Sequence, residues 1–182
     1  DSLSIVKAVD ISNIQSVIDI GTGAGFPGIP LKIAFPHLNV VLLDSLNKRI
    51  KFLNAVIDKL GLEKIETIHG RAEDYAKQDE YREKFDLCVS RAVANLSTLS
   101  EYCIPYVHCG GLFVPYKSGD IDEEVENSKK AIHVLGGKLQ GVIKFQLPKT
   151  EIGRSFVKIE KVQNTNKRYP RKAGLPAKEP LS

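Results

Sequence analysis

The stretch Asp19-Ile20-Gly21-Thr22-Gly23-Ala24-Gly25-Phe26-Pro27-Gly28 constrains this chain more than any other. Glycine at this density lets the backbone turn tightly and come close to a ligand. It follows Ser16 to Ile20 (SVIDI), a short apolar run that reads as a buried strand. It leads into Pro27 to Phe35, which reads as a short helix stopped near Pro36. A glycine-rich turn between strand and helix is where open α/β sheets hold cofactors. The spacing then separates two ligand classes. A dinucleotide fingerprint is G-x-G-x-x-G, and counted from Gly21 its third glycine would fall where Phe26 stands. The form present is G-x-G-x-G preceded by an acid, Asp19. It suits a ligand carrying a sulfonium and an amino acid group rather than a pyrophosphate, with Asp19 near the methionine portion.

The rest of the chain repeats the strand-helix alternation. Leu3 to Ile11 reads as the end of a helix and Val40 to Asp44 (VVLLD) as a strand. In Lys48 to Leu60, Ile50, Leu53, Val56, Ile57 and Leu60 recur at helical spacing, with Gly61 as the stop. Ile65 to His69, Asp86 to Ser90 and Gly111 to Tyr116 read as strands. Leu96 to Val107 and Ile121 to Leu135 read as helices, the latter ended by Gly136 and Gly137. Leu139 to Leu147 and Ser155 to Val162 are joined by a linker too short for a helix, so they should pair antiparallel. The expectation is an α/β, Rossmann-like fold of the class I methyltransferase type. Its mostly parallel seven-stranded sheet would end in an antiparallel hairpin. A chain of 182 residues suffices for one such domain. It is expected to span residues 1–163, with 164–182 as a basic tail.

Several residues should line the ligand cleft. Gly21 and Gly23 belong to the loop. Asp44 ends the second strand, where a carboxylate can accept bonds from both ribose hydroxyls, a feature that nicotinamide and adenosylmethionine enzymes share. Arg71-Ala72-Glu73-Asp74 follows the third strand, facing the adenine in this fold. A backbone amide of Ala72 or Glu73 could bond the base edge; equally, the acids could simply enrich a helix's first turn.

Composition bounds the remaining classes. Apolar residues make up 42% of the chain, yet no run approaches the roughly 18 residues a membrane span needs. No secretory leader is visible. The chain begins at Asp1 and contains no Met, which reads as a trimmed protein. Cys88, Cys103 and Cys109 are odd in number and widely spaced, which suits a reducing, cytoplasmic setting and suggests neither disulfides nor zinc. The net charge of +4 is modest, but Lys161 to Lys178 holds six Lys/Arg and no acid. Such a segment often meets phosphates.

Some motifs are missing. Strand four is followed by Ser90-Arg91-Ala92-Val93-Ala94, not the Asn/Asp-Pro-Pro-aromatic motif of exocyclic-amine methyltransferases. Cys103-Ile104-Pro105 is not the Pro-Cys nucleophile of cytosine-carbon enzymes. Guanine N7 has a free lone pair at neutral pH, so its in-line methylation needs no base and no covalent intermediate. Positioning alone can supply roughly 7–11 kcal/mol, and no catalytic acid or base is expected.

The residues resemble a family, the ribosomal RNA small-subunit methyltransferases G, also called glucose-inhibited division protein B. The resemblance rests on Asp19 to Gly28, Leu43-Asp-Ser-Leu-Asn-Lys-Arg49, Arg71-Ala-Glu73, Ser90-Arg-Ala-Val-Ala94 and Lys167-Arg-Tyr-Pro-Arg171. It implies N7 methylation of a guanine in small-subunit (16S) rRNA with S-adenosyl-L-methionine as donor. It also implies cofactor contacts at Gly21, Phe26, Ala72, Glu73 and Arg91, with Asp44 as the ribose-side acid. Two departures stand out. The tail reads Asn164-Thr-Asn-Lys167 where the family often has Asn-Thr-Pro-Lys, and the family's N-terminal helical segment is represented only by its last piece near Asp1-Ser-Leu3.

Arg91 could pair with the cofactor carboxylate or a substrate phosphate, or stand in solvent. Lys117, Lys167, Arg168, Tyr169, Arg171 and Lys172 are the RNA-contact candidates, with Tyr169 available to stack on an unpaired base; a solvated tail is the plainer reading. Deleting residues after Asn164 should then weaken RNA binding and spare cofactor binding. The expected partner is rRNA or the small subunit and no membrane. A monomer is expected, since no long apolar stripe is left over. The alternatives are a methyltransferase for another RNA, a protein or a small molecule; a nicotinamide oxidoreductase; and a non-catalytic RNA binder.

Overall fold

The structure is a computed structural model that describes residues 1–181. Its strands are β1 (Ser16–Ile20), β2 (Asn39–Asp44), β3 (Ile65–His69), β4 (Phe85–Arg91), β5 (Val107–Ser118), β6 (Gly137–Gln146) and β7 (Gly153–Lys161). The helices are α1 (Gly28–Ala34), α2 (Asn47–Leu60), α3 (Ala72–Tyr75), α4 (Leu96–Cys103), α5 (Asp122–Val134) and α6 (Leu175–Lys178). One seven-stranded sheet runs in the order β3-β2-β1-β4-β5-β7-β6. Its first five strands are parallel, and β7 pairs antiparallel with both β5 and β6. This is the expected class I arrangement.

Alternate residues of the central strands face opposite layers. Ile18, Ile20, Val41 and Leu43 join Leu96, Leu99 and Ile132 on one side. Val17, Val40, Leu42 and Val89 join Ile29, Leu53 and Ile5 on the other. Helices covering both faces explain why these strands read as unbroken apolar runs. Gly61 ends α2 in the left-handed region, with Leu62 N–H bonded to the Ile57 carbonyl, so the expected stop is where the sequence put it.

Three expectations shift. Leu3 to Ile11 is not an α-helix end but two 3₁₀ turns, Ser2–Lys7 and Ile11–Asn13. The helix expected to reach Val107 stops at Cys103, because Pro105 cannot donate the next helical hydrogen bond; Ile104–Tyr106 forms a 3₁₀ turn instead. The stretch after β7, expected to be a tail, includes buried Thr165, Tyr169 and Pro176 and the short helix α6.

The chain runs outward from β1 to β3, then returns to β4 on the other side of β1. That reversal opens a crevice at the carboxyl ends of β1 and β4, where ligands bind in such sheets. Register Ile20↔Leu43 brings the glycine loop level with Asp44. Register Asp19↔Val89 sets Arg91 just beyond the same edge.

Candidate functional site

The glycine loop is pinned by its own backbone. The amides of Gly21 and Thr22 both donate to the Leu43 carbonyl, at 2.9 and 3.1 Å. Gly21 has φ +68°, and a Cβ there would lie 2.6 Å from a Val93 methyl. The segment after β4 therefore packs directly on the loop. At Gly28, a Cβ would come within 2.3 Å of Leu42 and 3.0 Å of an Asp19 oxygen. The bare backbone lets the Gly28 amide reach Asp19 Oδ2 at 2.9 Å.

Asp19 is fully buried. Its Oδ2 also accepts from the Thr22 hydroxyl at 2.7 Å, while Oδ1 has no hydrogen-bond partner among the described residues. Burial raises its pKa to about 6, against the bonds from Thr22 and Gly28 and the charge of Arg91. A buried carboxylate with one oxygen unengaged suits a cation, and so fits the amino-acid end of S-adenosylmethionine.

Asp44 is equally buried but satisfied. Oδ2 accepts from the Gly23 amide at 2.9 Å and from Arg49 at 3.1 Å, and Oδ1 accepts from the Leu46 amide at 2.9 Å. A carboxylate has about four acceptor positions, so room for ribose remains on Oδ1. Beside it lies a cleft of about 320 Å³, bordered by Gly21, Leu43, Ser45, Gly70 to Glu73, Val93, Tyr102, Gly174 and Ala177. The Tyr106 hydroxyl anchors α3 here by donating to the Ala72 carbonyl at 2.7 Å. The amides of Ala72 and Glu73, in the first turn of α3, have no intrahelical acceptor. The Glu73 amide stays free, while its carboxylate accepts from the Gly174 amide at 2.8 Å and faces the C-terminal segment.

Arg91 stands at the carboxyl end of β4 and borders the larger of two clefts. Its guanidinium lies 5.4 Å from the Phe26 ring centroid and 3.5 Å from Asp1, so it is not simply in solvent. The larger cleft, about 710 Å³, is bordered by Arg91, Ala92, Ala94, Asn95, Tyr116, Lys117, Glu124 and Arg154. Lys117, an RNA-contact candidate, borders it but is committed. It donates to the Ala94 carbonyl at 2.9 Å and to Glu124 at 2.6 Å, and Glu124 in turn accepts from the Leu96 amide. Lys117 and Glu124 thereby fix the loop between β4 and α4.

Among the RNA-contact candidates, Lys167, Arg168 and Lys172 are exposed. Tyr169 is only 6% exposed and sits in the core, so the expected base-stacking role is corrected: the ring is covered by the protein itself. Arg171 is paired with Glu101 at 2.7 Å rather than offered to phosphate. Lys161 is buried too, bonded to the Ile104 and Val107 carbonyls and to Glu83. Deleting residues after Asn164 would also remove Gly174 and Ala177 from the border of the smaller cleft.

A family model described as rRNA small subunit methyltransferase G matches residues 1–153. The chain belongs to this family. It is 55% identical to the Ribosomal RNA small subunit methyltransferase G of Lachnoclostridium phytofermentans, over all of this chain and 75% of that protein. Identity to the protein of the same description from Desulforamulus reducens is 56%, over all of this chain and 76% of that one. Solved structures share the fold at low identity. StiE O-MT (residues 961–1257) aligns with TM-score 0.69 at 17% identity, covering 90% of this chain and 73% of that one. M. jannaschii TYW2 in complex with AdoMet gives 0.63 at 16%, covering 82% and 70%.

Membership in the family agrees with the missing amine and cysteine motifs. No helix among the described residues is long and apolar enough to cross a membrane. Sequence reasoning missed Arg82, Glu101 and Glu124; Glu101 and Arg82 meet the C-terminal segment some 70–87 residues away, while Glu124 ties Lys117 to the Leu96 amide. Glu101 carried a signal: it is the one charged residue in α4, LSTLSEYC. A lone acid in an otherwise uncharged, buried helix needs a cation from elsewhere.

Proposed function

We propose that this chain methylates N7 of a guanine in small-subunit rRNA, with S-adenosylmethionine as donor. The observation that carries the reading is the buried Asp19, with one oxygen unengaged, at the crevice of a family member's sheet. When bound, the donor supplies an electrophilic methyl on a sulfonium. Asp19 would hold the positive amino-acid end. Asp44 and the Ala72 and Glu73 amides would orient the nucleoside end, with Gly21 and Gly23 allowing close approach. Phe26 and Arg91 border the amino-acid side, where the guanidinium can meet a carboxylate. The target base would enter the larger cleft past Asn95 and Tyr116. Residues there need only exclude water and hold N7 in line, because the lone pair needs no base to expose it. Lys167, Arg168 and Lys172 would meet rRNA phosphates.

In this reading the protein acts in the cytoplasm, where the small ribosomal subunit and its rRNA are found, and as a monomer, since the sequence leaves no long apolar stripe over. Residues 1–163 make the methyltransferase domain, and the described residues 164–181 complete it rather than trail from it. Labelled methyl transfer to small subunits from a strain lacking the gene, followed by N7-specific strand cleavage, tests this. One cleaved guanine is expected. Label on protein, on small molecules or at another base position overturns the reading.

A further inference from the structure

The segment after β7 is held by Arg82 and by side chains of α3 and α4. Arg82 donates to the carbonyls of Ala76, Thr165 and Tyr169 at 3.0, 2.7 and 2.9 Å. Glu101, with 1% of its side chain exposed, receives the Arg171 amide and guanidinium at 2.7–3.1 Å. Thr98 donates to the Pro176 carbonyl at 3.1 Å, and Ser97 to that of Leu181. These anchors bring Gly174 and Ala177 to the border of the 320 Å³ cleft that also holds Gly21, Leu43 and the start of α3. Glu73 then receives the Gly174 amide. A side chain next to the free α3 amides thus binds the segment and leaves those amides as the polar groups on offer.

We infer that residues 171–178 form a wall of the adenine-binding part of the cleft. In that wall Glu73 is a positioning residue, and the small residues at 174 and 177 set how large a base edge is admitted. The inference rests on the donor assigned above. Its chemistry is that of a purine nucleoside: a flat apolar base between backbone walls, with amides meeting its polar edge. The wall is made of backbone and small side chains, so it selects by shape. Its position depends on side-chain anchors that never touch the ligand. Carboxamide at position 73 can still accept from the Gly174 amide, whereas alanine cannot.

S-adenosylhomocysteine titrated into the whole chain, with calorimetry and amide exchange as readouts, tests the wall. On binding, the amides of residues 172–178 should exchange more slowly, together with those of residues 21–25 and 70–73. Ala177→Trp, at an exposed position, should weaken binding about tenfold or more while the unfolding midpoint stays put. Glu73→Ala should weaken binding and speed exchange at 172–178, and Glu73→Gln should restore both. Binding by Ala177→Trp equal to wild type, or exchange at 172–178 unchanged by the ligand, overturns the wall alone. A wild-type chain that does not bind S-adenosylhomocysteine overturns the donor reading and the wall with it.

Discussion

The glycine loop and the C-terminal segment border one cleft and are fixed in opposite ways. The loop is held by near neighbours, mostly backbone: Thr22 and Gly28 on Asp19, and Gly21 and Thr22 on the adjoining strand. The segment is held by charged side chains far away in sequence, with Glu73, Arg82 and Glu101 as its anchors. Damage to the loop should change what binds and leave the fold standing. Damage to the segment's anchors should cost stability first and binding second.

The largest expected effect is on the segment. Glu101→Ala leaves the Arg171 amide and guanidinium without their carboxylate. Breaking such a pair costs about 3 kcal/mol, at the low end because Arg171 is partly exposed. For a chain of this size that is a fall of about 6–12 °C in Tm. Thermal unfolding checks it. An unchanged Tm would mean that the segment is held without Glu101, and the contrast between the regions would collapse.

The loop gives the complementary result. Asp19→Asn keeps an acceptor for Thr22 and Gly28 and removes a buried charge, so Tm should hold or rise slightly. S-adenosylhomocysteine affinity should fall about 10–100-fold, or roughly 1.4–3 kcal/mol. The pH dependence sharpens the point. Burial raises the pKa of Asp19 from 3.8 to about 6, so the folded protein holds the proton more tightly than the unfolded chain. The cost to folding of this charge grows as pH rises from about 4 to about 6. A cationic ligand favours the ionised form. Affinity should therefore fall as pH drops below about 6, by up to about tenfold per unit, and the Asn variant should lose that dependence. Calorimetry at pH 5, 6 and 7.5 decides it, and parallel profiles would remove Asp19 from the ligand's charged end.

The same contrast explains what was legible in the sequence. Strands, helices and the loop follow from periodicity and from glycine spacing, which are local. Asp44 was legible as a strand-end acid, because β1 and β2 align by the rule of the fold. The C-terminal segment was not. Six cations without an acid look the same whether they face water or reach carboxylates elsewhere in the chain. Arg171 and Lys161 took carboxylate partners inside the fold, and Tyr169 took a place in the core. The resemblance put Glu73 among the cofactor contacts, and no spacing showed that its carboxylate turns to Gly174. Side-chain pairing across about a hundred residues leaves no spacing to read.

The smallest effect concerns the outward side of that segment. Lys167, Arg168, Lys172 and Lys178 remain exposed after the inward residues are assigned. Arg168 lies 4.8 Å from the buried Tyr169 ring, which limits its reach. The three lysines are the freer cations. Replacing them together with Gln should leave Tm and S-adenosylhomocysteine affinity unchanged, since none borders the smaller cleft. Each phosphate contact contributes about 0.7 to the logarithmic salt slope of single-stranded nucleic acid binding, so the triple variant should flatten the slope by about 2. Filter binding to small-subunit rRNA across a salt series measures it. If the slope stays and affinity for S-adenosylhomocysteine falls, the lysines act through the segment's position and not on phosphate. The inner and outer sides of the segment would then be one coupled element.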